Sequence, residues 1–200
     1  RYELFLDKSG KKISKSIGNV FTPEVWLRYG SPKSLLLLMY KRISGTRNLS
    51  VEDIPVYMDE FDTLEDVYFS KVNITNIDKE KKLRGLYEYI SHLKPPSLPS
   101  IHVPYNLLIQ LSSVSPKGKE IEYIQNKLIS YRIIKSVTSE LDAKIQLALR
   151  WSQDFQKIEQ QKITIKNIEK DALRELVNLI SKDIDMSIIQ NSIFEIAKKY

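Results

Sequence analysis

Thr22-Pro23-Glu24-Val25-Trp26-Leu27-Arg28-Tyr29-Gly30-Ser31-Pro32 decides what kind of fold this chain adopts. Thr22 is a good helix N-cap, Pro23 suits the first helical position because its missing N–H would be unpaired there anyway, and Glu24 favours the positive end of the helix dipole. Gly30 is expected to stop that helix. Ser31-Pro32 repeats the cap-plus-proline signal at once, so a second helix begins where the first ends. It is expected to run through Leu35 to Ile43, apolar almost all round, as a central core helix, until Gly45 breaks it.

Upstream of this pair the pattern is different. Tyr2 to Leu6 reads as a short strand ended by Asp7. Gly10-Lys11-Lys12-Ile13-Ser14-Lys15-Ser16-Ile17-Gly18-Asn19 follows as a lysine- and serine-rich loop between glycines, and Asn19-Val20-Phe21 is extended. Lysines supply charge for phosphate, and hydroxyls and backbone N–H groups supply hydrogen bonds. Glycines allow backbone conformations that a side chain forbids.

Downstream the chain reads as helices. Ser50-Val51-Glu52-Asp53 opens one, with Pro55 in its first turn. Met58, Phe61, Leu64, Val67 and Tyr68 recur at three- and four-residue steps and mark its apolar face. Asp59, Glu60, Asp62, Glu65 and Asp66 fall on the other face, expected to be solvated. Residues 78–93 form a further helix. Lys94 to Pro104 holds four prolines in eleven residues. It is expected to be a stiff connector between two helical subdomains. Pro104 and Ser115-Pro116 each open a helix. A long amphipathic helix runs from about Ser139 to Ile158, with Leu141, Ile145, Ala148, Leu149, Ser152 and Phe155 inward. Residues 167–182 and 186–199 give two more. The fold class expected is mainly α: a short strand and loop, then helices, ending in an all-α bundle.

Composition narrows the function classes. The 200 residues contain no cysteine, which excludes disulfides and thiolate metal sites. The two histidines, His92 and His102, are too few for a zinc site of their own and read as packing or hinge residues. No apolar run approaches membrane-spanning length, and none of these residues is expected to form a signal peptide. Net charge is +6 at pH 7, distributed unevenly: residues 1–50 carry ten Lys/Arg against three Asp/Glu, a net +7. The excess surrounds the loop, as a polyphosphate or nucleic-acid contact requires. The opening directly on a strand-like run, without an initiating Met, suggests part of a longer polypeptide.

Lys12-Ile13-Ser14-Lys15-Ser16, followed by Gly18-Asn19, resembles the Lys-Met-Ser-Lys-Ser signature of class I aminoacyl-tRNA synthetases. Ile13 is the only departure inside the pentapeptide, an apolar swap of similar volume. Thr22 to Pro32, Lys41 to Arg47, Tyr57 to Asp62 and Val103 to Leu108 are similar to the archaeal-type class I lysyl-tRNA synthetases. The resemblance is strongest over residues 10–70 and thins after about 160. It implies ATP-dependent activation of lysine, with Mg2+, followed by acyl transfer to tRNA(Lys), in the cytoplasm. By the family pattern, Lys15 would stabilise charge on the leaving pyrophosphate, and Lys12, Ser14 and Ser16 would shape the loop and contact phosphate. Closure of the loop over the nucleotide is expected.

The resemblance also implies an organisation. Residues 1–30 would end a catalytic domain, 31–94 would form a helical stem-contact region, 95–104 the connector, and 105–200 an incomplete anticodon-binding bundle. The family's nucleotide-binding fold and lysine pocket would lie before residue 1, so this polypeptide alone is expected not to activate lysine. Bases of a single-stranded anticodon loop are read by stacking and cationic contacts. The candidates are Tyr131, Arg132, Arg150, Trp151 and Arg174, although Trp151 at helical spacing also suits a core. Two other readings remain open: an RNA-binding helical module without catalysis, and a structural helical domain with a fortuitous loop. No metal-ligating residue is assigned, and the oligomeric state is not set by the sequence.

Overall fold

Local chemistry places the first two helices where the caps require. Val25 N donates to Thr22 Oγ1 at 3.4 Å at the start of α1 (Pro23–Tyr29), and Ser34 N donates to Ser31 Oγ at 3.1 Å at the start of α2 (Pro32–Tyr40). Trp26 is fully buried, and its Nε1 donates to the buried Ser34 Oγ at 3.0 Å, fastening α1 to α2. Gly30 ends α1 as expected, but not through a left-handed backbone. Its φ is −127°, extended, but an added Cβ would stand 2.6 Å from Trp26 Nε1 and 2.9 Å from Ile54 Cγ2. The residue is small because the chain passes tightly between a tryptophan and an isoleucine.

The computed structural model describes residues 3–13, 21–42 and 45–155, together with Lys170 and Arg174. Residues 1–153 form one compact unit and residues 154–200 a second. Among the described residues there are seven helices and a two-stranded sheet. After α2 come β2 (Gly45–Asn48), a single 3-10 turn (Val51–Asp53), α3 (Ile54–Tyr68), α4 (Ile77–Ile90), α5 (Tyr105–Ser113), α6 (Glu120–Ser130) and α7, whose described residues are 139–155. The mainly α class expected from the sequence holds. Of the two helices expected over 167–182 and 186–199, only Lys170 and Arg174 are described, and both are helical.

β1 (Glu3–Leu6) pairs in parallel with β2, in the register Glu3↔Gly45, Phe5↔Arg47 and Leu6↔Asn48. The sequence reading missed β2. A parallel pair needs a crossover, here carrying α1 and α2, so its partner lies some forty residues away. Gly-Thr-Arg-Asn shows no apolar alternation to announce it. Gly45 therefore opens a strand, at φ +126°, where only glycine fits easily, and α2 has already ended at Tyr40.

The core draws on nearly every element of the first unit. Trp26, Leu38, Met58, Leu108, Leu128 and Ile145 belong to one buried cluster, supplied by α1, α2, α3, α5, α6 and α7. A second cluster, Leu37, Phe61, Leu64, Tyr87 and Ile90, fills the angle between α2, α3 and α4. α2 is not buried all round as expected, because Met39 and Tyr40 are exposed at its end. On α7, Leu141, Ile145, Ala148 and Ser152 are buried as expected, whereas Leu149 and Phe155 are half-buried. α6 begins at Glu120 rather than at Ser115-Pro116, since Pro116 to Lys119 close a turn first (Lys119 N to Pro116 O, 3.2 Å).

The proline-rich stretch does not divide two cores. Val103 and Tyr105 are buried in the same cluster as Trp26 and Leu38. The prolines deny this segment helix; its first half is largely exposed, and Ser100 to Val103 lie across α3 as an extended strap bonded inward. Asp59, Asp62, Glu65 and Asp66 of the acidic face bond to the strap, to Lys144 or to Tyr105 and are not the solvated surface expected, while Glu60 pairs with Lys41.

Candidate functional site

The lysine–serine loop begins on a turn built by one carboxylate. Asp7 Oδ1 accepts from Ser9 N (2.9 Å), Ser9 Oγ (2.7 Å) and Lys11 N (3.0 Å). Asp7 N donates to Lys11 O at 2.8 Å, and Gly10 takes φ +79° between them. The chain thereby doubles back. Lys12 forms an antiparallel bridge with Leu6, and Ile13 N approaches Phe5 O at 3.4 Å. Lys12 and Ile13 are thus held beside β1. Ser14, Lys15 and Ser16 lie outside the described residues, as do residues 17–20. The loop returns at Phe21 and Thr22, into α1.

Between the two ends of the loop lies an open cavity of about 340 Å³. Phe5, Ile13, Phe21, Leu35, Leu38 and Leu49 form most of its wall, with Lys12 and Thr22 among the polar lining. An apolar wall with an ammonium and a hydroxyl beside it suits a ligand that combines a flat or aliphatic part with an anionic group. Sequence reasoning named Lys12 here. It missed Phe5 and Phe21, which flank the loop in the chain, and Leu38 and Leu49, which the crossover and the sheet bring beside it.

The aromatic and cationic candidates of the second half occupy separate elements. Tyr131 caps the end of α6 and is 63% exposed, and Arg132 follows at φ +57°, also exposed. Lys127 Nζ lies 5.4 Å from the Tyr131 ring centroid and 5.6 Å from that of Tyr123. The sequence reading overlooked this lysine. The four-residue spacing of Tyr123, Lys127 and Tyr131 on one helix face was the available signal. Arg150 is exposed on α7, and Trp151 beside it is half-buried, its Nε1 donating to Val51 O at 3.4 Å. Arg174 is helical and exposed.

The most strongly perturbed ionisable groups lie elsewhere, where the strap crosses α3. Glu65 is fully buried and receives Tyr87 Oη, Ser100 N (3.2 Å) and His102 Nε2 (2.5 Å). Burial pushes its carboxyl up, but the bonds from His102 and Tyr87 outweigh that and hold it down to about 2. Burial likewise works against the His102 charge, yet the Glu65 bond and the nearby Asp62 and Asp66 carboxylates raise its pKa above the usual value. His102 Nδ1 lies 3.0 Å from Asp66 Oδ1, close as an ion pair but without hydrogen-bond alignment. Lys144 of α7 pairs with Asp62 and donates to Val103 O at 2.8 Å. Asp62 is still raised, because burial exceeds what Lys144 restores. Asp59 accepts from Tyr105 N at 2.5 Å. These carboxylates act as anchors for the strap. Among the described residues no group of three His, Cys, Asp or Glu side chains converges to hold a metal.

Comparison with known proteins agrees with the loop. Residues 1–93 match the family model described as tRNA synthetases class I (K). The whole chain is similar to a lysine–tRNA ligase of Cenarchaeum symbiosum (strain A), 42% identical over 200 residues and covering 38% of that protein. It is 29% identical over 202 residues to a lysine–tRNA ligase of Rickettsia conorii (strain ATCC VR-613 / Malish 7), with 99% of this chain and 38% of the relative aligned. The chain therefore spans less than two fifths of the length of these relatives. No solved structure matches it significantly. The signature loop rooted on β1 lies inside this family match, which runs through α4, so the first 93 residues are similar to the class I lysyl-tRNA synthetases.

Proposed function

We propose that this chain is the part of a cytoplasmic lysine–tRNA ligase that carries the ATP-phosphate loop and helices that contact tRNA(Lys). In that reaction the lysine carboxylate attacks the α-phosphorus of ATP, an adenylate forms and pyrophosphate leaves. The acyl group then passes to the 3′ end of tRNA. The observation that carries the reading is the anchorage of Lys12 and Ile13 on β1 beside an apolar cavity, within the stretch that matches the family. Lys15 would stabilise the charge that develops on pyrophosphate, more in the transition state than in the ground state. Lys12, Ser14 and Ser16 would hold phosphate oxygens.

Mg2+ would assist ATP chemistry in the whole enzyme, but no described donor set here fits it. No step is assigned to it through this chain. Residues 105–200 would reach the anticodon end of the tRNA, and residues 31–94 the stem. The exposed Tyr131 and Arg132, with the half-buried Tyr123 and Lys127 beside them, supply rings and cations suited to bases and phosphates.

The test is Lys15→Ala in the full-length protein. Adenylate formation, followed by lysine-dependent pyrophosphate exchange, should fall by about 10²-fold or more, in line with loss of one preorganised electrostatic group. Affinity for tRNA should change by less than about twofold, since one phosphate contact at most is lost. The Tyr123–Lys127–Tyr131 ladder at the end of α6, with Tyr131 exposed, also fits a second reading, an RNA-binding module without catalysis. That reading wins if tRNA affinity falls while exchange stays normal. Exchange catalysed by residues 1–200 alone would contradict the assignment of the lysine pocket to another part of the protein.

A further inference from the structure

Arg47 joins three elements that set the position of the loop. Its Nη2 donates to Leu38 O at 2.9 Å and to Arg42 O at 3.4 Å, and its Nη1 donates to Tyr57 Oη at 3.2 Å. Its guanidinium carbon lies 5.8 Å from the centroid of the Phe5 ring. The sheet register explains that last contact, because Phe5 and Arg47 are direct neighbours across the parallel pair.

Each contact has a physical reason. Leu38 O is one of the last carbonyls of α2, which have no partner within the helix. A guanidinium there satisfies it and places positive charge at the negative end of the helix dipole. The planar fork carries several donors in fixed directions, so one side chain can serve two carbonyls and a phenol. The ring of Phe5 receives the cation on its face.

Phe5 is also the root of the loop: its carbonyl faces Ile13 N, and its ring lines the cavity beside Lys12. The exit of the loop is held separately. Thr22 caps α1, and Trp26 of α1 is bonded to Ser34 of α2. Both ends of the loop are therefore referred to the same helix, the exit through Trp26 and the entry through Arg47.

We propose that Arg47 is a positioning residue for the lysine–serine loop, locking its entry strand to the end of α2. The kinetic part of the test rests on the functional reading above; the proteolytic part does not. Both use the full-length protein with Arg47→Ala and Arg47→Lys. Lysine keeps a cation over Phe5 but lacks the fork for two carbonyls.

In limited trypsin digestion, cleavage after Lys11, Lys12 and Lys15 should accelerate by about tenfold in Arg47→Ala relative to cleavage at Lys79 and Lys81, because only the local opening equilibrium changes. Arg47→Lys should fall between. In pyrophosphate exchange, kcat should drop by about 10²-fold for a misplacement of about 1 Å, with KM for lysine changed less than about twofold. In a Lys15→Ala background the same substitution should have less than about a threefold further effect, since residues acting through one group are not additive. A uniform rise in cleavage, no rise, or full additivity with Lys15→Ala overturns the proposal. If the unmodified protein shows no lysine-dependent exchange, the functional reading fails, and the digestion alone decides the role of Arg47.

Discussion

Nε2 of His102 lies 2.5 Å from Oε2 of Glu65, a carboxylate with no solvent exposure at all. This pair ties the strap between α4 and α5 to the middle of α3. A buried anion is tolerated only when it is paired and hydrogen-bonded. Glu65 meets that condition with donors from three places: Tyr87 on α4, and Ser100 and His102 on the strap.

His102→Gln should therefore be strongly destabilising. It keeps a donor but removes the positive charge, leaving Glu65 and Asp66 without their shared cation. The expected loss is about 3 kcal/mol, the order found when one partner of a buried ion pair is removed. Urea unfolding at pH 6 measures it. A loss below about 0.5 kcal/mol, the level of a neutral surface change, would mean that His102 merely packs.

The pH dependence of stability follows from the same pair. The folded pKa of His102 is raised above 6.5, so its contribution is complete below about pH 6.5 and is lost as pH rises through the raised value. Glu65 is lowered from 4.5 to about 2, so its contribution is complete above about pH 4.5 and is lost as pH falls toward 2. Asp62 is raised and opposes this slightly on the acid side. Asp62, Glu65 and Asp66 of α3 act on His102 directly; Lys71 pairs with Asp66, Lys144 of α7 with Asp62, Tyr87 of α4 bonds Glu65, and Glu140 of α7 accepts from the nearby Ser100. The clasp should therefore contribute most between about pH 4.5 and 6.5. Melting temperatures across pH 4 to 9 test this: His102→Gln should flatten the alkaline limb, and an unchanged limb would refute the assignment.

Lys144→Met should also destabilise, by about 3 kcal/mol, because Asp62, largely shielded from solvent, is left without its partner. It also strips the donor from Val103 O. Adding Asp62→Leu should restore at least half of the loss, since an apolar pair often replaces a buried ion pair without penalty. Chemical denaturation of the two single variants and the double variant gives the coupling. Additive losses would show that the two side chains do not act as a pair.

Gly30→Ala tests whether the end of α1 is set by space. The backbone there is extended and accepts alanine, so any loss comes from crowding by Trp26 and Ile54. Destabilisation of about 1–3 kcal/mol is expected for an overpacked methyl. Trp26 fluorescence should shift in the same variant, because Cβ would press on its Nε1 edge. Unchanged stability and emission would mean that the gap opens without resistance.

Much of this fold was legible because its signals are local. The Thr22 and Ser31 hydroxyls cap their helices by accepting from N–H groups three residues on, and Ser50 donates its N–H and hydroxyl to the Asp53 carboxylate over the same distance. The apolar face of α3 followed from periodicity alone. The polar face of α3 was misread for a matching reason. Periodicity tells which side of a helix is apolar, but not what covers the other side. Here the cover is His102 and Lys144, 37 and 82 residues from their partners. The loop motif was legible as a string of residue types, while the cavity beside it depends on Phe5, Phe21, Leu38 and Leu49, which no spacing rule brings together.

By itself, then, the amino-acid sequence determined the helices and their caps, the apolar stripes, the basic bias around the loop and the signature that it shares with the class I lysyl-tRNA synthetases. These rest on contacts within a few residues, or on residue identity alone. The tertiary structure decided the rest. It paired β1 with β2 across a two-helix crossover, set both ends of the loop on α2 through Arg47 and Trp26, and turned a run of carboxylates into a buried anchor for the strap. These depend on charges and donors meeting across long chain separations, where burial makes each pairing strong and each missing partner costly.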